Sequence, residues 1–389
     1  MPEIASFVHN GMSVETHSAP PPMGPLGSVV LGVVGTAPDA DPLWPKNSPI
    51  RIANMGAVAK LDMAGTERGT LYRTCYELLR IVSVPMYVVI VEEGTDAADT
   101  TNKVIGKVDP ATGQRTGIEA LGDCQEVPTH IAAPGFNTKP VADALAAMGK
   151  RLYAIPVGDG PNTNDNAAIA YSESLGGEGT GYDAFYMVDP FVSVYSQAAK
   201  GNVYFSGAAI ALSCFARVKA WESPAKGGMG ALIQGTARTI DYNIMDKATN
   251  GDLMNRYGVS YFARTSMGGF SLIGNRCVMG RFVSQVGLEY AIIRKLAKTA
   301  QRAMARNLSE SFMNQEIEKL NFWLKSLQAD ETIMGAQVYL HPTLNNVDNY
   351  TNGEWHIAIK YHGYAPNEHM VYHLIEDVGI VESFLEGVL

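Results

Sequence analysis

The chain has 389 residues, 46% hydrophobic and 18% charged, with a formal net charge of −9. That length exceeds what one core usually reaches, so two to three domains are expected, and the composition is that of a folded protein rather than a disordered one. The acidic balance speaks against a nucleic-acid backbone as the main partner, and the longest apolar run, Val82 to Val91, is interrupted by Ser83 and Pro85 and falls far short of the ~20 residues of a membrane span.

Taken in chain order, residues 1–18 alternate apolar and polar positions, with Phe7, Val8, Met12 and Val14 on the apolar side. This reads as an edge strand or an extended arm. Met1-Pro2-Glu3-Ile4 has no basic stretch ahead of an apolar core, so no signal peptide is expected. Pro20, Pro21, Pro22 and Pro25 then form a stiff linker that can join neither a helix nor a central strand. Ser28 to Thr36 reads as a buried strand, Ile50 to Ile52 as a short one, Thr70 to Arg80 as a helix, and Met86 to Val91 as a β-branched central strand.

Residues 94–126 are polar and rich in Gly, Thr and Asp. From 127 to 192 strands and helices alternate: strand at His130–Ala133, helix at Val141–Met148, strand at Leu152–Val157, helix at Asn166–Leu175, strand at Ala184–Val188. That order predicts an α/β segment with a mixed sheet covered by helices. Ser206 to Lys219 reads as a further helix. In the last third, Arg281 to Arg306 carries Val283, Val286, Tyr290, Ile293 and Ala297 on one stripe and a basic remainder, and Glu310 to Gln328 forms a second amphipathic helix. Strands are predicted at Ala336–Leu340, Trp355–Tyr361 and Val371–Ile375.

The motifs of chemistry are weak. Gly32-Val33-Val34-Gly35 lacks the third glycine of a dinucleotide turn, and Pro38 and Pro42 block a helix after it. Gly269 to Gly274 misses the spacing of a nucleophile elbow by one residue. Cys75, Cys124, Cys214 and Cys277 form no CxxC, so buried free thiols in a reducing compartment are expected. His369 and His373, with His362, Glu368 and Glu376 nearby, could hold a metal, but solvent-facing histidines are the plainer reading. Asp159 and Asp189 end strands where open sheets place their sites; each also lies in a turn that Asp, Gly and Pro favour on their own.

The ordered set of runs is more telling than any one of them. Ile273-Gly274-Asn275-Arg276, the Ser223-Pro224 stretch leading to Arg238, the Gly335-Ala336 strand start, Pro366-Asn367-Glu368, Val33 to Pro38 and Asp159-Gly160-Pro161-Asn162 resemble, in their order, the tail sheath proteins of contractile phages and R-type bacteriocins of the P2-like kind. Departures from that pattern are Ile273 for an aromatic, Cys277 for Thr and Asn367 for a small residue.

The resemblance implies a structural protein, not an enzyme, without cofactor or metal, stacked as hexameric rings around an inner tail tube. It implies partners at the baseplate and tail terminator, no nucleic acid, no direct membrane insertion, and a place in the virion after assembly in the host cytoplasm. It also implies arms lent as strands to neighbouring subunits, on contraction keeping the mesh intact. The expected division is an N-terminal arm and linker at 1–27, a first part of the body at 28–93, an outer α/β domain at 94–225, a C-terminal domain of two long helices and a small sheet at 226–376, and an extended C-terminal arm at 377–389. Arm residues are Val378, Ile380, Val381, Phe384 and Leu385, in a tail whose Glu376, Asp377, Glu382 and Glu386 face no Lys or Arg of their own segment. Gly274, Asn275, Arg276, Pro366 and Glu368 are expected to be structural, and Arg294, Lys298 and Arg302 to face the tube. The readings that compete are another tail or capsid component, or an α/β enzyme with a site near Asp159 and Asp189.

Overall fold

The structure, a computed structural model, describes residues 23–388 except 177–180, 267, 302 and 305. It forms two compact units. The larger holds residues 27–294 and 365–388; the smaller holds 23–26 and 295–364. The predicted arm residues Phe7, Val8, Met12 and Val14 lie outside the described residues.

The larger unit is organised by β1 (Leu31–Thr36), β2 (Pro49–Ile52), β3 (Met86–Val91), β4 (His130–Ala132), β5 (Ile155–Asp159), β6 (Tyr186–Val188), β7 (Val192–Ser196), β8 (Gly201–Phe205), β9 (Gly235–Thr236), β10 (Val259–Arg264) and β11 (Phe270–Ile273). Eight of these make one sheet in the order β11-β10-β6-β5-β4-β1-β3-β2. Its middle is parallel, and its two edges, β2 on β3 and β11 on β10, are antiparallel. β7, β8 and β9 form a separate antiparallel sheet in the order β8-β7-β9.

A parallel strand covered on both faces must be apolar throughout, and β1 and β3 are buried at every position. Their side chains alternate between two cores. Val33, Val88 and Ile90 join Leu71, Cys75 and Leu78 of the helix Leu71–Ile81 and the buried helix Gly207–Ala216. Val34, Val89 and Val91 join Val141, Leu145 and Met148 of the helix Lys139–Leu152. The polar stretch 94–126 is not all loop: Asp96 caps a helix, Ala97–Ile105, by accepting from the amide of Asp99 at 2.7 Å.

This sheet revises the expected division. β1 and β3 come from 28–93, β4 to β6 from 94–225, and β10 and β11 from beyond 226, yet they hydrogen-bond side by side. Residues 94–225 are therefore part of the central body. The expected third strand at 371–375 and the extended tail also differ from what forms. Residues 364–377 carry no helix or strand, and Val378–Val388 is a helix. Asp377 starts it, accepting from the Gly379 amide at 2.9 Å, which suits a carboxylate at a helix N-terminus.

In the smaller unit, the helix Glu310–Ala329 is capped by Ser309 and packs on β12 (Ile333–Leu340), which pairs antiparallel with β13 (Ile357–Gly363). Phe312, Leu320, Trp323, Leu324 and Leu327 are buried along one side of that helix, and the Trp323 indole donates to the Gly24 carbonyl at 3.1 Å. The sheet has two strands among the described residues, so each keeps one unpaired edge. The helix Val283–Ala300 begins in the larger unit, and its residues from Lys295 on belong to the smaller.

Candidate assembly site

Three of the sequence runs, far apart in the chain, meet in the larger unit. Gly274-Asn275-Arg276 leaves the end of β11. Gly274 sits at φ +134, and a Cβ there would come within 2.2 Å of the Ser260 Oγ, so only glycine fits this turn. Its carbonyl accepts from the hydroxyl of the buried Tyr186 at 2.9 Å. The Ser223 hydroxyl donates to the Asn275 side chain, which joins the Ser223-Pro224 run to this turn. The Asn275 carbonyl accepts from the Val283 amide at 2.9 Å and so fixes the start of the long helix.

Arg276 then reaches the third run. Its Nη2 and Nε donate to Glu368 Oε2 at 2.7 and 3.1 Å. Its Nη1 donates to the Gly280 carbonyl at 2.9 Å, and its guanidinium lies 4.1 Å from the Phe282 ring centre, a cation–π contact. A cleft of about 560 Å³ opens beside this pair, lined among others by Asp252, Arg256, Asn275, Arg276, Asn367 and Glu368. Its opposite charges are matched in number. That arrangement is suited to anchoring a chain segment and offers no nucleophile paired with a base.

The competing candidates are accounted for by internal partners. Asp159 accepts from Ser206 Oγ at 2.6 Å, the Ala208 amide at 2.9 Å and the Gly135 amide at 3.0 Å, and so caps the helix Gly207–Ala216. Asp189 accepts from the Asn162 amide at 2.6 Å and pairs with Arg238, whose Nε also reaches Asp165 at 2.9 Å. Burial raises the carboxyl pKa of both, against the pull of these donors. Among the described residues no cluster of three His, Cys, Asp or Glu is placed to hold a metal. Ser271 lies buried in β11 beside Thr265, at 3.1 Å.

The expected tube-facing residues divide. Arg294 is half-buried, donates to the Tyr153 carbonyl at the end of the helix Lys139–Leu152, and has its pKa pushed down to about 10 by burial. It is a structural cation of the larger unit, which corrects the expectation of a free charge. Lys298 is exposed, and Arg302 lies outside the described residues. Val378, Ile380, Val381, Phe384 and Leu385 are between 49% and 70% exposed, on a helix with no buried residue. Sequence reading missed Tyr186, Phe282 and the pairing partners of Asn275 and Arg276. The Tyr186–Gly274, Ser223–Asn275 and Arg276–Glu368 contacts span 88, 52 and 92 residues, so no local spacing announces them, and the short step from Arg276 to Phe282 matches no motif.

No family model matches the chain. A prophage protein of Pseudomonas aeruginosa (strain UCBPP-PA14), named for a major tail sheath protein, is 28% identical over 297 residues, 72% of this chain and 75% of its own. The tail sheath protein of Escherichia phage P2 is 22% identical over 387 residues, 94% of each chain. Among solved structures, the contracted sheath of the extracellular contractile injection system PVC is similar with a TM-score of 0.70 at 14% identity, over 97% of this chain and 100% of that one. The contracted helical sheath of the anti-feeding prophage gives 0.67 at 14% identity, over 95% and 99%. These structural likenesses establish the fold.

The class defined by sequence and fold together is the contractile sheath. The chain is similar to tail sheath proteins of the contractile type, and it is a structural sheath subunit of a phage or phage-like particle and not an enzyme.

Proposed function

We propose that copies of this chain stack as hexameric rings around an inner tail tube, linked by their terminal arms, and that the lattice shortens to drive the tube through a host envelope. The baseplate and tail terminator would bound the stack, and assembly would take place in the host cytoplasm. One observation carries this reading: the C-terminal segment is rich in apolar side chains, yet among the described residues these stay exposed. Leu374 is 95% exposed and Ile375 84%, and Val378, Ile380 and Phe384 follow in the helix. Such side chains each gain ~1.5–3 kcal/mol on burial, so a second copy is their natural cover.

The β12–β13 pair supports the same reading. Two strands alone are marginal, and their open edges offer main-chain groups to a strand from another copy. Residues 1–18, with Phe7, Val8, Met12 and Val14, would supply one such strand and the C-terminal segment another contact. Lys298 and Arg302 are the proposed tube-facing charges, weak singly and effective through repetition along the tail.

The test is truncation. A chain ending at Asp377 and a chain lacking residues 2–18 are each expected to stay folded and monomeric by sedimentation. Neither should give tubes in electron micrographs under conditions where the full chain does. Tubes of normal length from both truncations would overturn the arm reading.

A further inference from the structure

We propose that the Arg276–Glu368 pair is a breakable clamp that decides which unit of the chain carries the C-terminal arm, and thereby how far the arm reaches. This rests on the arm reading given under Proposed function. The chain passes out of the larger unit at Lys295 and returns to it at Ala365. From Tyr364 to Asp377 the backbone forms no helix or strand, and every residue but Pro366 is exposed. Between Tyr364 and Glu376, among the described residues, the side-chain ion pair with the rest of the larger unit is Glu368 on Arg276.

The two halves of the clamp are held unequally. Arg276 is tied to the Gly280 carbonyl and the Phe282 ring, within a tight turn where Arg276 and Phe282 form a β-bridge. Glu368 has no such support. A pull on the arm therefore parts the carboxylate from a guanidinium that stays in place. The pair is 40% and 31% exposed, so it is open to water and to salt, and it can part without unfolding either unit.

The consequence is a tether of two lengths. With the clamp closed, the free chain before the terminal helix runs from Glu368 to Val378, roughly 35 Å when extended. With it open, the free chain runs from Gly363 at the end of β13, roughly 50 Å. Closed, the arm is carried by the larger unit and its helix samples a smaller volume than when open, which raises its effective concentration at a neighbour. Open, it is carried by the smaller unit and can follow a neighbour that moves away. A sheath whose subunits shift while staying linked needs both conditions, one for assembly and one for rearrangement.

The clamp is tested on unpolymerised protein by pulsed EPR. Spin labels are placed at Ala147→Cys, on the exposed side of the helix Lys139–Leu152, and at Met370→Cys, two residues past Glu368 and exposed. The four native cysteines are buried or half-buried. At low salt a narrow distance distribution is expected, lost in Glu368→Gln and Glu368→Arg and lost at high salt. It should return in the swap Arg276→Glu with Glu368→Arg. Glu368→Gln leaves every other Arg276 contact intact, so a folding defect is not expected from it. A distribution already broad at low salt, one that stays narrow in Glu368→Gln, or a swap that stays broad each overturns the clamp. Truncated chains that still polymerise would instead overturn the arm reading, since these distances do not depend on assembly.

Discussion

β3 and the apolar positions of the segment from Met370 to Val388 draw on much the same residue types and end in opposite places. Met86-Tyr87-Val88-Val89-Ile90-Val91 is buried at all six positions. Met370, Val371, Tyr372, Leu374 and Ile375, and then Val378 to Val388, are exposed throughout. Apolar character alone thus does not mark a core. What separates the two is cover within the chain: β3 has strands on both sides and helices over both faces, while the terminal segment is held at its root by one ion pair.

The strongest way to break this comparison is to remove apolar atoms from each side. Leu78→Ala, at a site of 0% exposure, should cost about 2–5 kcal/mol in urea unfolding of the monomer, through lost burial and a residual cavity. Phe384→Ala should leave that unfolding within ~0.5 kcal/mol of wild type and yet reduce polymerisation, read by sedimentation. If Phe384→Ala destabilised the monomer as much as Leu78→Ala, the terminal helix would be covered by its own chain and the contrast would fail.

How much of this was legible in the sequence follows from the range of each interaction. β1, β3 and the helix Lys139–Leu152 are set by local pattern, and the apolar runs 28–36 and 86–91 point to them directly. The pairing of β6 with β10 joins Val188 to Ser260 across the whole of β7, β8 and β9, and β6 has three residues, too few for any periodicity. The supposed domain border at 225 arose from that gap. The tail was ambiguous in a different way: Val378, Val381, Leu385 and Val388 fit helical spacing, while Val378 and Ile380 also fit strand alternation. The motif runs were recognisable one by one, but Arg276 and Glu368 lie 92 residues apart, and only the fold makes them a pair.

A second contrast is between buried and exposed histidine. His130 on β4 is 1% exposed, 2.9 Å from Thr129 Oγ1 and 4.6 Å from the Phe215 ring centre, with Nε2 unpartnered. Burial, with Arg294 adding to it, pushes its pKa down to about 3. The folded state therefore binds fewer protons than the unfolded chain between that value and the ordinary ~6.5, and stability must fall as pH drops through this window. The expected loss is about 2 kcal/mol between pH 7 and pH 5. Asp159 and Asp189, with raised pKa values, act with the opposite sign: their carboxylates favour folding less as pH rises through their folded pKa. Comparing wild type with His130→Gln over that range isolates the histidine. Equal slopes in the two proteins would mean that His130 is accessible to protons in the folded state.

The smallest effect separates two cations on one helix. Arg294 and Lys298 are four apart in Val283–Ala300, on the same side by helical spacing, and the sequence offers no reason to rank them. The fold does: the Arg294 guanidinium donates to the carbonyl of Tyr153, the C-cap residue just past the helix Lys139–Leu152, at the end where that helix is negative, while Lys298 faces solvent. Arg294→Ala should therefore cost roughly 1–2 kcal/mol of monomer stability, the loss of a charged hydrogen bond at a helix end. It should also raise the His130 pKa toward its ordinary value, because one cause of the depression is removed, and so flatten the pH slope described above. Lys298→Glu should change monomer stability by less than ~0.5 kcal/mol and leave that slope alone. On the proposed tube-facing role, its effect should fall on assembly on tubes: a lower yield of extended particles, without the wild-type fall in yield on adding salt, since the screened attraction is gone. Should Lys298→Glu destabilise the monomer, or should Arg294→Ala leave stability and pH slope untouched while blocking assembly on tubes, the two residues would have exchanged roles and the tube-facing side of this helix would have to be redrawn around Arg294.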